Sequence, residues 1–290
     1  MMPYIIEAND LSLKYKKFEA LKNISFTLKE EKIYGILGRN GAGKTSLLTL
    51  LSAFRKPTSG KLTIDGENNF ENTKIMSNIS FHYEKNYSEE TSTVKKMLRD
   101  VENYRENYDG EYALSLAEMF ELPIDKPVNK LSKGKQSALE VTMGLAGRCP
   151  VTIFDESYLS MDAPTRVKFY NEVLEEQSRK PRTFILSTHL VSEMDYLFDE
   201  VLILHKGKLF IHDEYETLIS KGMTVTGAAE KVDEFVIGMK VLKEQRLGNA
   251  KAVAIYEKNS KAIETKAKSL GLEVGPISLQ ELFIYITEKE

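Results

Sequence analysis

The sequence predicts an α/β fold, a mostly parallel sheet with helices on its faces, followed by a small α+β module. Three observations predict it. Short apolar runs at 32–37, 151–154, 183–186 and 201–204 read as buried strands. Stretches with apolar residues at helical spacing separate them, as in a parallel sheet with crossover helices. After about residue 215 the chain changes character, and shorter mixed elements replace the long strand–helix alternation.

Bulk composition narrows the field. The 290 residues suffice for one large domain or two modest ones, and 42% hydrophobic residues suffice for a packed core. A formal net charge of −3 leaves no global basic footprint, so no nucleic-acid partner is expected. One cysteine, Cys149, excludes a disulfide framework and a cysteine-based zinc site, and it reads as a small buried residue before a strand. MMPYIIEAND lacks the basic and apolar regions of a signal peptide, and no apolar run approaches the ~20 residues that cross a bilayer. The chain is therefore expected to be cytoplasmic and to work at a membrane only through a partner.

Each element has its own signal. Leu11–Tyr15 and Ile24–Leu28 alternate like strands. Lys32–Leu37 ends at Gly38. Lys44–Phe54 carries leucines at 47, 48, 50 and 51, a helix stopped by Pro57-Thr58-Ser59-Gly60, and 61–66 reads as a strand entering a turn. From about 91 to 150 the composition shifts. Val94, Met97, Leu98 and Val101 recur at helical spacing, then Leu114, Leu116, Ala117, Met119 and Phe120, so this block is mostly helical. In the last ~75 residues a segment at 224–226, a helix near 228–239, a strand near 252–256 and a helix near 261–269 are expected. Ser278 and Glu281 have capping-box spacing before a final amphipathic helix. Eleven basic and eleven acidic residues balance over 216–290.

The stretch GRNGAGKTS, 38–46, carries the most chemistry. It fits G-x-x-x-x-G-K-[ST] from Gly38 to Thr45, between a buried strand and a helix. Backbone N–H groups of such a loop converge on phosphate oxygens, and the helix that it opens favours an anion at its N-terminus. Lys44 would reach the β- and γ-phosphates. Thr45 would place its hydroxyl on Mg²⁺, with Ser46 beside the α- and β-phosphates. A glycine-rich turn with an incidental lysine is the plain alternative.

About 110 residues on, Asp155-Glu156 follows Val151–Phe154, at the strand end where open α/β sheets bind ligands. An aspartate there can hold Mg²⁺, and the adjacent glutamate can polarise a water. His189 ends another short strand and could hydrogen-bond the γ-phosphate and that water, or be simply structural.

These residues resemble one family, the ATP-binding cassette (ABC) ATPases, over about residues 4–215. Gly38–Ser46 resembles its Walker A loop and Val151–Asp155 its Walker B strand, with Glu156 following. Ser187-Thr188-His189 resembles the H-loop, and Tyr15 sits where the family stacks an aromatic on adenine. Leu131-Ser132-Lys133-Gly134-Lys135-Gln136 occupies the signature position, and the stretch to Asp162 resembles the D-loop. The resemblance implies a P-loop NTPase ABC cassette, a RecA-like core plus a helical subdomain at about 91–150, over residues 1–215, with an α+β accessory module at 216–290. It implies ATP and Mg²⁺ as cofactors, with Glu156 and His189 catalytic. ATP would be bound by Tyr15, Gly38, Asn40, Gly41, Ala42, Gly43, Lys44, Thr45, Ser46, Ser132, Gly134 and Asp162. Ser132 and Gly134 would touch the nucleotide of a second cassette, a homodimer being favoured.

Two motifs depart from the family pattern. Lys133 and Lys135 replace a glycine and a glutamine of the signature. The Q-loop glutamine is missing, since the first glutamine in the chain is Gln136. Glu84, after the strand-like 79–83, stands in its place as a metal ligand, a contact to a membrane partner or a plain surface-loop carboxylate. A lone cassette looks like the energy subunit of a transporter whose channel is a separate transmembrane permease, peripheral on the inner face of the membrane. The signature, the acidic Q-loop and the short C-terminal module resemble a group of bacterial exporters with separate cassette and membrane subunits, the phenol-soluble modulin (peptide toxin) exporters. Export of amphipathic peptides is the expectation. An importer cassette, or a soluble ABC ATPase acting on ribosomes or DNA, is the alternative.

Overall fold

Apolar runs and polar turns alternate through the first two hundred residues, and this alternation becomes strand, loop and helix. The computed structural model describes residues 4–257 and 260–288. The N-terminal segment read above thus falls within the described residues from Tyr4 onward. The chain divides into two units. The first runs to His189 and adds Tyr196–Phe198 and Leu202–His212. The second comprises Leu190–Asp195, Asp199–Val201 and the chain from Asp213.

The first unit opens with strands β1 (Ile6–Tyr15) and β2 (Phe18–Leu28), joined by a tight turn and paired antiparallel. β3 (Ile33–Leu37) is buried at all five residues, as its unbroken apolar run predicts. Helix α1 (Lys44–Leu51) follows and buries Leu47, Leu48, Leu50 and Leu51. It stops at Leu51, short of the expected Phe54, where Ala53 turns left-handed at φ 59°. β4 (Ser59–Ile64) already includes Ser59 and Gly60, which the sequence placed in the preceding turn. It pairs with β1, and the short β5 (Glu67–Asn68) completes a sheet of order β2-β1-β4-β5.

After α2 (Thr73–Met76) and β6 (Ile79–Tyr83) comes the expected helical block. It contains α3 (Val94–Glu102), α4 (Gly110–Met119) and α5 (Lys133–Ala146). Each has a side-chain N-cap. Thr93 accepts from Lys96 N (3.2 Å), Asp109 from Tyr112 N (2.9 Å) and Ser132 from Lys135 N (3.3 Å). β7 (Val151–Asp155), α6 (Ala163–Arg179), β8 (Thr183–Thr188), β9 (Glu200–His205) and β10 (Lys208–Glu214) finish the main sheet. Its order is β10-β9-β3-β8-β7-β6. β3, β8, β7 and β6 are parallel neighbours, so their C-terminal ends share one edge. Cys149 is buried before β7, as read.

A buried ionic cluster ties α4 and the end of α5 to α6. Glu176 faces Arg148 at 3.0 Å and Arg182 at 3.1 Å, and the Tyr112 hydroxyl donates to Glu172 at 2.7 Å. A buried carboxylate persists only when such partners fill its lone pairs.

The second unit holds α7 (Val191–Met194), α8 (Tyr215–Ser220), β11 (Gly222–Ala228), α9 (Ala229–Phe235), β12 (Val241–Leu247), β13 (Ala250–Tyr256), α10 (Ser260–Ser269), β14 (Glu273–Pro276) and α11 (Leu279–Glu288). From β11 to β14 the element order is βαββαβ, and the antiparallel sheet runs β12-β13-β11-β14, a ferredoxin-like arrangement. Two corrections arise here. The helix expected to reach Met239 ends at Phe235, because Gly238 turns at φ 81° to start β12. β12 and β14 were not read as strands; both are edge strands with mixed polar faces. Val225, Val253, Ile255, Val232, Phe235 and Leu272 form the core of this unit.

Candidate functional site

The loop from Gly38 to Gly43 joins β3 to α1 at the shared C-terminal edge of the parallel strands. Its glycines are needed for space and for backbone angle. Gly43 sits at φ 109°, where a β-carbon would lie 2.9 Å from the Ala20 carbonyl. Gly41 at φ 80° faces open space. The loop is pinned beneath by Ala42, which is buried, and whose carbonyl accepts from Gly207 N at 3.0 Å. Asn40 is exposed.

Lys44 is buried, and its ammonium donates to the Gly38 carbonyl at 2.8 Å. The same nitrogen stands 3.2 Å from Glu156 Oε1. Glu156 Oε1 is also 3.0 Å from His189 Nδ1. Lys44 at the start of α1, and Glu156 and His189 just past the ends of β7 and β8, thus meet at one carboxylate. Glu156 holds φ 52°, a left-handed backbone that a β-carbon resists.

Asp155 receives hydrogen bonds from the hydroxyls of Ser187 and Thr45. Burial pushes its carboxyl above the usual range, and the two hydroxyls oppose that shift. Ser187 was not singled out from the sequence as a site residue. Its place opposite Asp155 follows from the register of β7 and β8, which only strand order reveals.

A cleft of about 500 Å³ opens at this edge, lined by Thr45, Asp155, Glu156, Glu84, Tyr83 and Arg55 among others. Glu84 is exposed and 3.9 Å from Lys133 Nζ. Tyr15 borders the loop, with the Ser46 hydroxyl 3.4 Å from its own, and the Arg55 guanidinium covers one ring face at 4.8 Å. Arg55 had no signal in the sequence beyond its charge.

The remaining expected residues do not line this cleft. Ser132 is the N-cap of α5. Gly134 abuts the turn before α6, where a β-carbon would lie 2.9 Å from the Ser160 carbonyl. Asp162 is exposed and caps α6, accepting from Thr165 N at 2.9 Å. These three gather around the start of α5 and the start of α6.

Thr45 and Asp155 offer an all-oxygen pair that fits a hard cation which keeps water and phosphate as its other ligands. Among the described residues no cluster of three His, Cys, Asp or Glu side chains forms a metal cage.

Comparison with known proteins agrees with this geometry. The family described as "ABC transporter" matches residues 21–158. The bacitracin transport ATP-binding protein BcrA of Bacillus licheniformis is 31% identical over 214 residues, 72% of this chain and 69% of that protein. The chain belongs to the ABC transporter ATP-binding family. This is an ATP-binding, ATP-hydrolysing cassette family whose members dimerise and work with a transmembrane subunit. The cassette is also 27% identical to YcbN of Bacillus subtilis, an uncharacterized ABC transporter ATP-binding protein, across 90% of each chain. A relative named for aliphatic sulfonate import, from Zymomonas mobilis, is 28% identical, so import and other transport names both occur among relatives. A dimeric ATP-binding cassette solved after hydrolysis, with ADP and Pi, matches with a TM-score of 0.63 at 18% identity, over 72% of this chain and 98% of that one. The cassette thus has the ABC fold. Among its described residues no helix is long and apolar enough to cross a membrane.

Proposed function

We propose that the cassette binds Mg-ATP in the cleft between its phosphate loop and Glu156, and hydrolyses it to power export through a separate membrane permease. The observation that carries this reading is the Lys44 ammonium, held by the Gly38 carbonyl at 2.8 Å and by Glu156 at 3.2 Å. A buried cation at the start of a helix, beside glycine N–H groups, is suited to phosphate oxygens.

In this reading Gly38, Asn40, Gly41, Ala42, Gly43, Lys44, Thr45 and Ser46 bind the phosphates. Tyr15, its other ring face covered by Arg55, stacks on adenine. Thr45 and Asp155 hold Mg²⁺, with Glu84 at the outer edge of the same cleft. A Mg²⁺ ion held there would supply positive charge against the β- and γ-phosphate oxygens. Glu156 accepts a proton from the attacking water, and His189, 3.0 Å away, orients that carboxylate and the γ-phosphate. Ser132, Gly134 and Asp162 lie outside the cleft, which suits contact with nucleotide held by a second copy. In this reading the second copy is the same chain, which gives a homodimer with two competent sites.

The transported class is read as amphipathic peptides, on the signature Leu131–Gln136, the acidic residue at 84 and the short C-terminal unit, with the relative named for bacitracin transport in support. The cassette then sits on the cytoplasmic face of the membrane, and residues 216–290 serve as an accessory module for dimerisation or regulation. Import is the second reading, favoured by relatives of that name.

The test is Glu156→Gln beside Lys44→Ala. Glu156→Gln is expected to bind Mg-ATP, to lose turnover by at least about a hundredfold, and to accumulate as an ATP-dependent dimer in light scattering. Lys44→Ala is expected to lose about 2 kcal/mol or more of nucleotide affinity, as a buried charge-assisted contact requires. Turnover by Glu156→Gln at the parent rate would assign the base elsewhere.

A further inference from the structure

β6, the loop after it and α5 meet at one buried carboxylate. Glu140 on α5 is 1% exposed. Its Oε2 lies 3.0 Å from His82 Nδ1, and Lys85 Nζ stands 3.1 Å from its Oε1. The Tyr87 hydroxyl donates to the same carboxylate. Three residues of one short segment therefore converge on one side chain of a helix that lies more than fifty residues on. A carboxylate this far from water needs its lone pairs filled, and these groups fill them.

The fit around the imidazole is close. His82 has room because Gly144, one turn beyond Glu140, carries no side chain; a β-carbon there would lie 2.8 Å from His82 Cδ2. The imidazole also packs against the ring of Phe154, 5.5 Å between centroids, in the residue before Asp155. Glu84 lies within the clasped segment and lines the nucleotide cleft. A second link joins the same two parts, Lys133 to Glu84 at 3.9 Å. Lys133 and Glu140 are two helical turns apart and so lie on one face of α5. The segment that carries Glu84 thus meets α5 at two points, a buried one at Glu140 and an exposed one at Lys133.

We propose that Glu140 is a positioning residue for ATP turnover. It clamps the segment that carries Glu84 to α5, so that Glu84 and the Ser132–Gly134 start of that helix move as one piece when the site closes. This rests on the hydrolysis reading above.

The test is steady-state ATP turnover by the full-length chain carrying Glu140→Ala, Glu140→Gln or Tyr87→Phe, with Lys44→Ala as the floor. Glu140→Ala is expected to lower kcat about tenfold with KM for ATP changed less than about twofold, because loop placement and not phosphate binding is lost. Glu140→Gln, which keeps an acceptor, is expected to recover most of that loss, and Tyr87→Phe to lose about threefold. In a Glu84→Gln background the Glu140→Ala loss is expected to shrink to about twofold, since the carboxylate being positioned is gone. A folded Glu140→Ala chain with parent kcat, or a loss undiminished in the Glu84→Gln background, would overturn the proposal. A parent rate equal to the Lys44→Ala floor would instead count against the hydrolysis reading. Amide exchange at residues 84–90 then decides the clamp alone: exchange is expected to quicken in Glu140→Ala and Tyr87→Phe, and an unchanged rate in both would sink it.

Discussion

The Lys133 ammonium lies 3.9 Å from Glu84 Oε1, so two residues that depart from the family's usual motifs face each other within one chain. Both side chains are more than half exposed, at 60% and 62%. Such a pair contributes little to stability, about 0–1 kcal/mol, and salt weakens it further.

Its value should therefore show in turnover and not in folding. Glu84→Gln and Lys133→Gly are each expected to change unfolding free energy by less than about 0.5 kcal/mol in urea. The double variant is expected to turn over ATP closer to the parent than either single does. A single-variant stability loss above about 1 kcal/mol would show that the pair is not a screened surface contact.

Asp109 offers a test in the helical block. It caps α4 through Tyr112 N and also pairs with Arg148. The Tyr112 N–H, and after it the Arg148 guanidinium, hold its carboxyl below the usual value. Asp109→Ala is expected to cost about 1–2 kcal/mol, as loss of a cap does. Asp109→Asn keeps the cap but loses the charge. A depressed carboxylate adds stability that is present above its unfolded pKa and lost as pH falls through the folded one. The gap between parent and Asp109→Asn is thus expected to stay constant above about pH 5 and to narrow toward pH 3 in urea unfolding. A gap independent of pH would assign the effect to packing.

Ser278 tests the start of the last helix. Its hydroxyl accepts from Glu281 N at 3.2 Å, while Glu281 Oε2 accepts from Ser278 N at 2.9 Å. Ser278→Ala is expected to cost about 1 kcal/mol, and Glu281→Gln less, because an amide can still complete the reciprocal bond. Equal losses in thermal unfolding would show that charge, and not the capping geometry, matters there.

Legibility followed sequence distance. The glycine-rich loop 38–43 could be read because the residues that build it are consecutive and lead straight into a helix. The same holds for the Ser278 capping box, whose reciprocal bonds span three residues. Helical spacing also placed α3 and α4 well. Edge strands were harder. β12 carries Lys243, Glu244, Gln245 and Arg246 in a row, with no alternation to mark a strand, and it pairs with β13 on one side only.

By itself the sequence determined local features of this protein: a glycine-rich turn before a helix, an acidic strand end, and the capping box of the last helix. These depend on backbone angles and neighbours a few residues apart. Only the tertiary structure decided which of them meet. Glu156 and His189 converge because β7 and β8 lie parallel in register, and Lys44 joins them from the start of α1, which the loop after the neighbouring parallel strand β3 leads into. Ser187 reaches Asp155 through strand register, and Glu140 gathers His82, Lys85 and Tyr87 from a segment over fifty residues away. Long-range pairing of this kind is set by strand order and by the demand of each buried charge for a partner, and neither leaves a periodic mark along the chain.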